Sequence, residues 1–185
     1  MRYLSLILLL ILGITTRFLP HPANFTAIGA IAIFGGLYLP RRWAIAGPML
    51  AMFVSDIFIG FYSAPMMAAV YGSFALMAFI GLRARQNKNT ATVVGGTLLG
   101  SALFFLITNW AVWAFGTMYA HNISGLIQSY TMAIPFFKNS LAADLVYTTV
   151  LAGGYELMSL RARRARQSQR ITETDGIASS LRSSQ

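Results

Sequence analysis

Apolar residues gather into six stretches, at residues 3–19, 23–39, 43–61, 64–82, 91–116 and 139–160, separated by short polar or proline-containing links. A helix needs about 17–25 apolar residues to cross a hydrocarbon core of ~30 Å. Inside lipid every backbone polar group must be bonded within the chain, which favours helices over open strands. The pattern therefore predicts an all-α polytopic membrane protein with six transmembrane helices. Residues 1–162 form its transmembrane domain, and residues 163–185 form a polar tail without fixed structure, rich in Ser and poor in apolar residues.

Charge orients the stretches. With the N-terminus in the cytoplasm, the inner links and tail hold Arg2, Arg41, Arg42, Arg83, Arg85, Lys88, Arg161, Arg163, Arg164, Arg166, Arg170 and Arg182, twelve cations against two outside, Arg17 and Lys138. The positive-inside rule then places both termini in the cytoplasm and three loops outside. Composition agrees: 56% of residues are hydrophobic, 10% are charged, and mean hydropathy is +0.61. The net charge of +9 has its largest cluster directly after the last apolar stretch, which fits attraction to anionic lipid headgroups rather than to nucleic acid. The chain has no cysteine, so disulfides, thiolate metal sites and cysteine nucleophiles are excluded.

The links add detail. The first stretch follows Arg2 as a signal peptide would, but Thr15-Thr16-Arg17-Phe18 supplies no small-residue cleavage site, so it reads as a retained helix. Arg17 can snorkel to the outer interface. Pro20-His21-Pro22 breaks the chain, and Asn24 is placed to cap the second helix. Ala32 and Gly36, like Gly96 and Gly100, have the four-residue spacing that lets helices approach closely. The short link from Gly60 to Pro65 makes the third and fourth helices antiparallel neighbours. Residues 117–137 are moderately apolar but carry His121, Asn122, Gln128 and Pro135. A seventh span there would export the arginine-rich tail, so the stretch reads as an outer loop with a short interfacial or re-entrant helix.

Three acidic residues fall within the spans: Asp56, Asp144 and Glu156. A charge at such depth needs a partner, a wet cavity or a proton. Asp56 and Arg17 share the outer half of the bundle and are expected to form an ion pair. Asp56 and Asp144 either tie helices together or serve a site, and Glu156 lies near the inner interface. Polar and aromatic groups also gather at the outer helix ends, where His21, Asn24, Tyr62, Tyr71, Ser73, Asn109 and Tyr130 are expected to line an outward-facing pocket. Trp and Tyr belts occur at any membrane interface, whereas amides and a histidine are not ordinary belt residues. No intramembrane Ser/His/Asp set, paired acidic protease motif, HExxH or phosphate-cradling loop is present, so neither enzymatic activity nor ATP hydrolysis is expected. No metal site and no intrinsic cofactor are expected.

The run from Arg17 to Thr26, RFLPHPANFT, resembles the opening of a family of small six-helix bacterial membrane proteins. Further matches are Ser55-Asp56 with Gly60-Phe61-Tyr62, the run Val70 to Leu76, the run Phe104 to Asn109, and the run Ile134 to Leu141. The likeness spans roughly residues 15–155. These proteins are similar to substrate-binding S components of energy-coupling factor (ECF) vitamin transporters, among them BtuM-like cobalamin S components. The resemblance implies a bacterial cytoplasmic-membrane protein that captures a vitamin or similar small molecule from outside, possible partners being an ECF coupling subunit and ATPases. It also implies that His21 lines a corrinoid site. The position of the family's cobalt-ligating cysteine matches Ser73, and a hydroxyl is a poor cobalt ligand beside a thiolate. The AxxxA motif that contacts the coupling subunit is not evident on the first helix. A non-transporting membrane scaffold of the same topology is the alternative, and its outer helix ends should be filled by packed apolar side chains.

Overall fold

The computed structural model of the chain describes residues 2–183, with side chains for residues 6–169. The described regular structure is helical: α1 Arg2–Phe18, α2 Ile28–Tyr38, α3 Arg41–Ile59, α4 Ala64–Ala84 followed by a single 3-10 turn Arg85–Asn87, α5 Thr90–Phe115 and α6 Ile123–Ser183. The chain divides into two compact units, Met1–Thr148 and Thr149–Gln185.

In the first unit α2 is the centre, with every residue from Ile28 to Leu37 buried. It packs against α3, α4 and α5, while α1 lies along α3. The crossing of α2 with α4 has no room for side chains: a Cβ on Gly36 would sit 2.6 Å from the Gly81 Cα. On α5, a Cβ on Gly100 would meet the Met77 side chain at 3.0 Å, and one on Gly96 would meet Ile80 at 3.2 Å. Of the small residues spaced in the sequence, Gly36 thus lies where two backbones approach, and Gly96 and Gly100 lie where α5 receives α4 side chains.

α2 has 11 residues, only ~16 Å of helix at about 1.5 Å per residue. The residues at its two ends, Ala27 and Leu39, are both buried. At the C-terminal end Arg85 reaches back, its Nε donating to the Gly36 carbonyl at 2.9 Å and its Nη2 to the Leu39 carbonyl. A cation there satisfies open carbonyls and opposes the helix dipole.

Asn24 does not cap α2 as the sequence suggests. It adopts a left-handed conformation with φ 63°, which asparagine tolerates better than most residues. Its carbonyl accepts from the Thr26 amide at 3.1 Å, and Ala27 occupies the cap position without a side-chain bond. The turn delays the helix to Ile28, five residues into the apolar stretch.

A second difference concerns residues 117–137. They do not form an outer loop throughout, because α6 begins at Ile123 and continues past Pro135 into the sixth apolar stretch. Tertiary bonds explain the override of local polarity. Tyr130 Oη donates to the Leu106 carbonyl at 2.8 Å, and the Phe105 ring packs against Phe137 with centroids 4.6 Å apart, so this half of α6 is zipped to α5.

Around the apolar core, burial does not follow polarity as in a soluble domain. Ser55, Asp56, Ser73, Thr97 and Ser101 are buried, while Phe58 is 74% and Leu99 53% exposed. Three helical segments, Arg41–Ile59, Ala64–Asn87 and Thr90–Phe115, are long and apolar enough to cross a membrane, whereas Leu6–Phe18 and Ile28–Tyr38 are apolar but shorter. The chain is thus all-helical and suited to membrane association.

The second unit consists of the remainder of α6. Val150, Leu157, Met158 and Leu160 are exposed, followed by exposed Arg161, Arg163, Arg164 and Arg166. The helix continues to Ser183 through the polar segment that the sequence reads as an unstructured tail. The side chains of Arg2, Arg170 and Arg182 lie outside the described residues.

Candidate functional site

Two buried carboxylates organise one end of the first unit. The last turn of α1 delivers Arg17, whose Nη1 lies 2.7 Å from Asp56 Oδ1 on α3. The same nitrogen donates to Ser55 Oγ at 2.6 Å and to the Met52 carbonyl at 3.3 Å. Asp56 is fully buried, and its Oδ2 accepts from the Tyr71 hydroxyl of α4 at 2.7 Å. One carboxylate thereby joins α1, α3 and α4, with its charge matched by a cation. In the adjoining loop, burial and then the nearby Asp56 charge push the Tyr62 hydroxyl up to about 12, against a smaller opposing effect of Arg17.

The second carboxylate, Asp144 of α6, is buried against the N-terminal end of α2. Ser101 of α5 donates to its Oδ2 at 2.6 Å, and the Ala30 backbone amide also bonds to it. Asp144 thus supplies from another helix the N-terminal cap that Asn24 and Ala27 do not. Gly29 makes this possible, since a Cβ there would lie 2.9 Å from Asp144 Cγ. Among the described residues, no basic side chain forms an ion pair with Asp144.

A cavity of about 200 Å³ lies between the two carboxylate clusters, lined by Arg17, Asn24, Thr26, Tyr62, Ser140 and Asp144 together with Gly29, Met52, Val70, Phe74 and Phe104. An adjoining cavity of about 240 Å³ shares Asn24, Val70, Phe104 and Ser140 with the first and continues to Thr108, Asn109, Phe105 and Phe137. The first link closes over this region. Asn139 Nδ2 donates to the Ala23 carbonyl at 3.0 Å, the Ala27 amide donates to Thr16 Oγ1 at 3.2 Å, and Phe25 packs on Tyr147 with centroids 5.9 Å apart.

Of the residues expected at a pocket, Asn24 and Tyr62 line the first cavity, and Asn24 and Asn109 line the second. Tyr71 stands behind them as the Asp56 partner. Three others line neither cavity: His21 turns its Nδ1 to the Pro22 carbonyl at 2.8 Å, Ser73 is buried with its hydroxyl on the Ala69 carbonyl at 2.7 Å, and Tyr130 is bonded to α5. Sequence reasoning did not place Thr26, Phe74, Phe104 or Ser140 at a site. Only Asp144 carried a signal, as a rare acid inside an apolar stretch. No group of three His, Cys, Asp or Glu side chains among the described residues is placed to hold a metal ion. The arrangement offers hydrogen-bond donors, acceptors and aromatic walls around a space, the equipment of a binding site.

Comparison with known proteins adds a family. Residues 1–168 match the model of a family of unknown function, DUF6580, and the chain belongs to that family. No curated protein and no solved structure matches the chain.

Proposed function

We propose that this protein is a substrate-binding membrane subunit that captures a small polar molecule, of vitamin size or less, from the outer face of a bacterial cytoplasmic membrane. In this reading α1–α6 provide six spans with both termini inside, and the cavity end carries the three outer links. The positive-inside rule supports that orientation, because the opposite end bears Arg41, Arg42, Arg85 and Lys88. The observation that carries the proposal is the pair of adjoining cavities of about 200 and 240 Å³, walled by Arg17, Asn24, Asn109 and Asp144 at a depth where apolar packing would otherwise be expected. A scaffold would have filled that space with apolar side chains. A corrinoid is a less suitable occupant than a smaller molecule, since Ser73 and His21 line neither cavity. Inward release would call for a partner or a reorientation of the whole subunit.

Native mass spectrometry of the protein extracted in mild detergent tests this. A copurifying small molecule at one-to-one stoichiometry is expected, and it should vanish in Ser140→Trp, which fills the space shared by both cavities. If neither preparation carries an adduct, or if the adduct persists in the variant, the binding reading fails in favour of the scaffold.

A further inference from the structure

The two buried carboxylates differ in their partners, and only Asp144 lines the cavity, a difference that points to a class of ligand. Arg17 faces the first cavity, but its charge is already matched by Asp56 at 2.7 Å. Asp144 faces the same cavity and is only 6% exposed, yet its hydrogen-bond partners are the uncharged Ser101 hydroxyl and Ala30 amide. The N-terminal end of α2 contributes about half a positive charge, which offsets Asp144 in part. A carboxylate also has about four acceptor positions, more than these two donors occupy. Capping α2 would need only an oxygen acceptor, which asparagine supplies without burying a charge.

The remaining walls fit a cation with an apolar body. Tyr62, Phe74 and Phe104 line the cavity beside Asp144, and aromatic rings attract a cation within about 6 Å of the ring centroid. The adjoining cavity is lined by no ionisable side chain, and its Phe105–Phe137 pair gives it an aromatic wall.

We infer that the ligand is a small organic cation, with a protonated amine or quaternary nitrogen held by Asp144 and an uncharged, largely apolar body in the adjoining cavity. This inference rests on the proposal that the cavities bind a ligand, and the experiment separates the two.

Three probes of one shape and different charge serve: 2-phenylethylammonium, the neutral 2-phenylethanol and the anionic phenylacetate, titrated calorimetrically into the full chain in detergent at pH 7. The ammonium probe should bind about tenfold tighter than the alcohol, with phenylacetate weakest, because a desolvated charge pair discriminates by that order or more. Asp144→Asn should bring ammonium and alcohol to within about twofold. Equal affinities for these two in the unaltered chain, a preference for phenylacetate, or an undiminished preference for the ammonium in Asp144→Asn would each overturn the cation assignment while leaving a binding cavity. Absence of binding by every probe would overturn the cavity reading as well. The probe series on the unaltered chain decides the charge preference even where Asp144→Asn fails to fold.

Discussion

Asp56 and Asp144 are both carboxylates buried in helices of the first unit, but only Asp144 lines the cavity, and they are stabilised by different means. Asp56 is held by a full positive charge and a tyrosine hydroxyl, Arg17 at 2.7 Å and Tyr71 at 2.7 Å. Asp144 is held by a serine hydroxyl and the amide end of a short helix. The first arrangement is complete by itself and fastens α1, α3 and α4 together. The second fixes α2 in place and supplies Asp144 with uncharged partners only, among the described residues. Burial therefore does not distinguish the two acids; the charge on their partners does.

Removing Asp56 should perturb the fold most. Asp56→Ala strands the Arg17 guanidinium in a mostly buried site and should cost about 3–5 kcal/mol. Arg17→Ala should cost a similar amount, and the double variant much less than the sum. Reversible unfolding in mixed micelles measures all three, and strictly additive losses would show that the pair contributes no coupling. Next comes Ser101→Ala, which removes one of the two neutral partners of Asp144 and should cost about 2 kcal/mol by the same measurement. Tyr71→Phe should cost about 1 kcal/mol, because Asp56 keeps its cation when the hydroxyl is lost. An equal or larger loss in Tyr71→Phe than in Ser101→Ala would contradict the claim that Asp144 is the less well neutralised of the two.

A weaker response is expected at Tyr62, beside Asp56. The Tyr62 hydroxyl, pushed up to about 12, should titrate in ultraviolet absorbance well above the ordinary tyrosine value of 10.0. Asp56→Asn should lower it, though not to the ordinary value, since burial is the larger cause. The linkage has a definite sign. Between pH 10.0 and about 12 the unfolded chain loses this proton before the folded one does, so stability falls as pH rises through that window. A Tyr62 titration unmoved by Asp56→Asn would show that burial alone sets it.

Much of this was legible along the chain. Helices α3, α4 and α5 end within about two residues of the apolar stretches, because an unbroken run flanked by Pro40, Pro65 and Asn89 leaves little freedom in where a helix starts. The meeting of Arg17 with Asp56 was foreseeable because two opposite charges at one depth in apolar surroundings have few other partners. The small-residue spacings at Gly36 and Gly100 announced close packing in the same way. Positions 117–137 misled because local polarity outweighed periodicity, whereas in the fold the bonds of Tyr130 to α5 reverse that balance.

A helical, membrane-suited chain, its charge asymmetry and the few acids that must find partners are readable from the residues alone. These follow from composition and from spacing within single segments. Which partners those acids find depends on how the helices assemble. Asp144 meets Ser101, 43 positions away, and the N-terminal end of α2 because Gly29 leaves space there. Arg85 reaches the far end of the same helix, and Ser140 joins Asn24 at a cavity wall. Such encounters depend on how helices cross, and crossing is set by many weak contacts summed over whole faces, which no local pattern records.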